Sequence, residues 1–168
     1  MTNGFGLFCV PALMVAQVSL ASVEDAEADI RGIVEQFRVS IINQDTEVFS
    51  SLFLNEDIPF VAVFSKEMLA KKRIDKPDYP AIIDFSDFGS PVKMLSGDET
   101  QEEKMSNIKV HTDGYLASVH FDYKDYEGGQ QRSYGTELWS LIKVGGDWKI
   151  TSVTFSVTEL ESWESSTK

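Results

Sequence analysis

The chain has 168 residues, a formal net charge of −12, 42% hydrophobic and 25% charged residues. That is the length of one domain, with enough apolar content for a real core. Its acidic balance repels phosphate backbones and anionic lipid headgroups, so neither nucleic acid nor a membrane surface is an expected partner.

At the N-terminus, the apolar run from Gly6 to Leu20 has the length of a signal-peptide core and is too short to span a bilayer. Ser19 and Ala21 supply the small residues of a cleavage site after Ala21, although Met1–Phe5 has no Lys or Arg. The segment before Cys9 (Gly6-Leu7-Phe8) does not suit lipid modification. The expectation is an exported chain, periplasmic or secreted, with residues 1–21 as leader, 22–158 as one domain and 159–168 as a polar tail. The alternative is an N-terminal helix or strand docked on the domain. Cys9 is the only cysteine, so cleavage leaves no disulfide, thiolate site or cysteine nucleophile. His111 and His120 stand nine apart, which is not a zinc-ligand spacing. No metal and no cofactor are expected.

From Glu24 to Gln44 the residues Ile30, Ile33, Val34, Phe37 and Ile41 fall on one helical face, with Asp25, Glu27 and Asp29 in its first turns. A second, short helix starts at Asp45 or Thr46 and carries Val48, Phe49, Leu52 and Phe53 inward. Phe60–Phe64 reads as a strand, Lys66–Arg73 as a helical turn and Ala81–Phe88 as a short helix. The acidic run from Gly97 to Lys104 reads as an exposed connection.

Three strands follow, joined by two-residue turns at Gly128-Gly129 and Gly145-Gly146, so that Glu127 pairs with Gln130 and Val144 with Asp147. Uninterrupted alternation then sorts the side chains onto two faces. One collects Tyr115, Ala117, Val119, Phe121 and Tyr123 with Leu138, Ile142, Val153, Phe155 and Val157. The other collects Leu116, Ser118, His120 and Asp122 with Glu137, Trp139, Leu141, Trp148, Ile150, Ser152, Thr154 and Ser156. Two apolar faces both need cover, and the helices suffice for one. The face bearing Val119, Phe121, Tyr123, Leu138, Val153 and Phe155 is therefore expected to bind a second copy as a homodimer. The His120 face is assigned to the interior, because Trp148 and Ile150 need helix cover.

The whole layout is α+β: a cone-shaped, curved antiparallel sheet wrapped around N-terminal helices. In the order of its parts it resembles the nuclear transport factor 2-like superfamily, the cystatin-like α+β barrels that include SnoaL-like cyclases and ketosteroid isomerase. The resemblance covers about Ala26 to Val157. It rests on Ile42-Asn43-Gln44-Asp45, Val48–Phe53, Asp113–Ala117, Asp147–Ile150 and Phe155–Val157. It implies a conical pocket and, commonly, a dimer. Some relatives carry His-x-His-x-Ser on the last strand; here Ser152, Thr154 and Ser156 hold those positions, and the isomerase's catalytic carboxylate and tyrosine have no counterpart.

In the expected register His120 lies opposite Glu137, with Thr154 beyond it and Ser118, Trp139 and Ser152 beside them. A carboxylate next to an imidazole raises its pKa and orients it as a general base; the same group could equally be a satisfied buried pair. Ser118, His120, Glu137, Trp139, Ser152 and Thr154 are the candidate ligand-binding residues, and His120 and Glu137 the candidates for catalysis. Asp122 is a further carboxylate at the pocket mouth or a solvated one. The leading expectation is binding of a small, partly apolar molecule. The second is a cofactor-independent isomerase or dehydratase with His120 as base, and the third a structural dimerisation module whose pocket is filled by Phe53, Phe64 and Trp139.

Overall fold

The computed structural model describes residues 16–95, 97 and 99–160, with side chains from Val23 onward except those of Phe88 and Met94. Most of the expected leader lies outside the described residues, and the backbone at the expected cleavage site, Ala21, is helical.

Helix α1 (Ala16–Asn43) buries Ala26, Ile30, Val34, Phe37 and Ile41, spaced by three and four along one face. It begins earlier than Glu24, so Asp25, Glu27 and Asp29 lie beyond its first turn, not in it. Asp45 caps α2 (Thr46–Ser51) by accepting from the Val48 amide at 3.0 Å. This short helix buries Phe49, followed by Leu52 and Phe53, while Val48 stays on the solvent side. The expected strand is β1 (Phe60–Phe64), and Ser65 caps α3 (Lys66–Asp75). Ala81–Phe88 is not the expected helix. Ile82–Asp84 forms β2, which pairs with β1 through Ala62 and Val63, and two 3-10 turns follow at Phe85–Phe88 and Pro91–Leu95. Asp84 explains the break: its side chain accepts from the Phe60 and Ser86 amides, tying this segment to the sheet edge.

Four long strands follow: β3 (Gln101–Thr112), β4 (Leu116–Glu127), β5 (Gln130–Val144) and β6 (Asp147–Glu159). The acidic run is therefore not wholly a connection, because Gln101–Lys104 opens β3. Glu159, expected in the tail, ends β6 and meets Lys72 at 2.5 Å. The sheet order is β2-β1-β6-β5-β4-β3. It is mixed, not purely antiparallel, because β1 runs parallel to β6, and it is curved but does not close into a barrel.

Both Gly-Gly turns form as expected, with all four glycines at positive φ, and Glu127↔Gln130 and Val144↔Asp147 are paired. Beyond the turns, three bulges shift the ladder. On β5 the extra residue is Arg132, between Asp125↔Ser133 and Tyr126↔Gln131. On β6 it is Thr151, between Ser140↔Ser152 and Leu141↔Ile150. On β3 it falls near Asn107, which adopts φ 55°. Each extra residue on one strand reverses which of its side chains face the partner's inner side.

The interior face is consequently a mixture of the two expected ones. Val119, Phe121 and Tyr123 share it with Glu137, Trp139, Leu141, Trp148, Ile150 and Val153, all buried under α1 and α2. Phe37 is the hub of this core, with ring centroids 4.7 Å from Trp139 and 5.0 Å from Phe49. The expected dimer face does not exist as drawn: Val119, Phe121, Tyr123 and Val153 are core, Phe155 packs against it, and Leu138 lies on the opposite, outer face at 45% exposure. That outer face alternates Leu116, Leu138 and Ile142 with Ser118, His120, Asp122, Thr136, Ser140, Ser152 and Thr154. Such a mixture tolerates water, as one face of an antiparallel sheet commonly does, so the argument that both faces must be covered falls with the register.

Gly135 marks a close approach within the sheet. A β-carbon there would sit 1.9 Å from the Ser156 carbonyl oxygen and 2.9 Å from the Tyr123 ring. The bare backbone lets the Tyr123 hydroxyl reach across and donate to that carbonyl at 2.9 Å.

Candidate functional site

The helices do not fill the concave side of the sheet. A cavity of about 200 Å³ remains, walled by Phe37 and Ile41 of α1, Phe49 of α2, Phe60 of β1, Leu95 and Phe155. Its polar lining comes from the ends of β3, β4 and β5 nearest the Gly128-Gly129 turn: Gln101, Glu103, Tyr123, Asp125, Arg132, Ser133 and Glu137. The bulge at Arg132 brings this group together. It turns Ser133 inward, and alternation along β5 then points Glu137 and Trp139 the same way. Glu103 pairs across the ladder with Asp125, and Asp125 with Ser133, so three strands present one row to the cavity.

Glu137 is 4% exposed and accepts from the Trp139 indole N–H at 2.5 Å. Burial pushes its carboxyl up to about 7, against the opposing effect of that hydrogen bond. Glu103 is partly exposed as a residue, yet its Oε1 is buried and meets no hydrogen-bond donor. Burial raises this carboxyl well above the usual range, and the charges of Glu137 and then Asp125 raise it further. Asp125 is raised by burial too, with the Arg132 guanidinium opposing. Arg132 itself holds Glu127 at 2.7 Å. The Tyr123 phenol is also pushed up, first by burial and then by Glu137. The cavity therefore has an aromatic body and an acidic end, where Glu103 and Glu137 compete to stay protonated.

Of the residues expected to form a site, Glu137 and Trp139 face the cavity side of the sheet. His120 pairs with Leu138, not with Glu137, which lies opposite Phe121. His120 and Thr154 flank Leu138 on the outer face, and Ser118 and Ser152 flank Ser140 there. Asp122 is also outside, accepting from Asn107 Nδ2 at 2.7 Å. The expected cluster is thus divided between two faces. Glu103, Asp125, Tyr123, Arg132 and Ser133 were not among the expected site residues. The alternation Gln101-x-Glu103-x-Met105 was the available signal for Glu103, hidden by the charge of its neighbours.

No protein-family model matches the chain, and no curated protein does. Solved structures match it well in shape. A Mycobacterium tuberculosis protein of unknown function is 17% identical with a TM-score of 0.61, over 88% of this chain and 80% of its own. An NTF2-like protein with a cystatin-like fold from Novosphingobium aromaticivorans is 10% identical with a TM-score of 0.61, over 89% and 93%. A candidate scytalone dehydratase from the same organism is 17% identical with a TM-score of 0.58, over 83% and 88%. At these identities the likeness establishes the fold: the chain has the NTF2-like, cystatin-like α+β architecture.

Proposed function

We propose that the protein binds a small, partly apolar molecule in the cavity between α1, α2 and the sheet. The observation that carries this reading is the buried, unpartnered Oε1 of Glu103 at the edge of an aromatic-walled space of about 200 Å³. Buried polar atoms in folded proteins are nearly always paired, so an orphan acceptor beside a void leaves a place for a ligand's donor. An apolar wall with a few convergent polar groups is the usual composition of a small-molecule site. A pocket filled by the protein's own side chains fits less well, because a void of about 200 Å³ remains and none of Phe53, Phe64 and Trp139 lines it. A base at His120 oriented by Glu137 loses its geometric support, since the two side chains lie on opposite faces.

The test is ¹⁵N NMR with toluene as a minimal probe. Saturable shifts at the Ser133 and Glu137 amides and the Trp139 indole are expected in the wild type. Ser133→Leu, which places a larger side chain in the cavity, is expected to abolish them. No saturable shift, or the same shifts in Ser133→Leu, would contradict the proposal.

A further inference from the structure

Resting on the reading of this cavity as a small-molecule site, we infer that its occupant is an organic cation, an ammonium group carried on an apolar body about one ring in size. Three carboxyl groups, Glu103, Asp125 and Glu137, line the cavity, and one of their oxygens is buried without a donor. An N–H brought by a ligand completes that oxygen. A positive charge also relieves the mutual repulsion of the three groups, which a neutral donor leaves in place. The same cavity is lined by the aromatic rings of Phe37, Phe49, Phe60 and Phe155, and an aromatic ring attracts a cation placed over its face.

Other ligand classes fit less well. An anion entering this space meets three carboxyls, while the guanidinium of Arg132 is already engaged by Glu127 at 2.7 Å. A bare metal ion lacks a ligand set, because among the described residues no three His, Cys, Asp or Glu side chains converge on one point. Size agrees as well: a cavity of about 150 Å³ suffices for benzene in an engineered protein, and this one is about 200 Å³.

Proton linkage follows. The titratable or charged groups facing Glu103 and Glu137 are Asp125, Tyr123 and Arg132 with its partner Glu127; α1, α2 and the turn at Pro91–Leu95 contribute apolar side chains. Burial and like charge keep a proton on the carboxyl pair in the empty cavity. A bound cation favours the ionised form, so binding expels a proton and strengthens as pH rises. With a midpoint of about 7, one linked proton makes the affinity about tenfold greater at pH 8 than at pH 6.

The experiment compares benzylamine with benzyl alcohol on the wild-type protein, reading the Trp139 indole resonance. Benzylamine stays protonated across this range, and the alcohol matches its shape without the charge. The expected result is that at pH 8 the amine binds about tenfold or more tightly than the alcohol, and that only the amine gains about tenfold from pH 6 to pH 8. Glu103→Gln and Glu137→Gln should each reduce that preference. Equal affinity for amine and alcohol would overturn the cation inference and leave the cavity reading standing. Binding of neither probe would overturn both.

Discussion

Glu137 is a carboxyl group set in an aromatic wall, and its chemistry follows from that position. Burial holds it at about 7, against an ordinary value of 4.5. Between those values the folded chain keeps a proton that the unfolded chain has released. The stabilising contribution is therefore complete below pH 4.5 and is lost as pH rises through 7. The gap corresponds to on the order of 3 kcal/mol, a large share of a domain's stability. Urea midpoints of the wild type should fall from pH 5 to pH 8, and Glu137→Gln should flatten that decline. Glu103 acts in the same direction, so some slope should remain in the variant. A variant slope equal to the wild type's would contradict this account of Glu137.

Two single residues, Arg132 and Thr151, decide which sides of β5 and β6 face the helices. Deleting Thr151 would restore an unbroken ladder with β5 in which Ser152 follows Ile150 directly, so Val153, Phe155 and Val157 would keep their inward phase. The apolar packing would be kept, and β1, which pairs with residues 153–157, would hold its register. The deletion variant should keep cooperative unfolding in urea and the near-ultraviolet signal of a packed Trp139. Loss of both in that variant would contradict the assignment of Thr151 as the extra residue. This is also where sequence reading reached its limit. The face of α1, the cap at Asp45, strand β1 and both Gly-Gly turns were legible because each has a local signature: a period, a hydroxyl or carboxylate cap, an apolar run, a pair of glycines. The bulge residues have none, since Gln131-Arg132-Ser133 and Thr151-Ser152 look like any strand interior. Each overlooked bulge inverted a face, which set His120 against Glu137 on paper and placed core residues at a dimer interface. Glu103 stayed hidden because a buried carboxyl within Gly97–Lys104 has the composition of a surface run.

For the whole molecule, the consequence is a sheet with one face devoted to the core and cavity and the other an open mixture of Ser, Thr, His and scattered aliphatic residues. The cavity draws on α1, α2, β1 and all four long strands, so its geometry depends on the complete fold. Its acidic end sits in a chain whose net charge is −12, a field that favours cations and opposes anions approaching from solution. The central claim is that Glu103 and Glu137 form a proton-holding pair at that end. The most direct measurement is ¹³C NMR of the glutamate side-chain carboxyl carbons, followed through a pH titration. The account predicts a Glu137 midpoint near 7 and a Glu103 midpoint displaced upward from the ordinary carboxylate range. Two independent titrations near the ordinary value of 4.5 would contradict it.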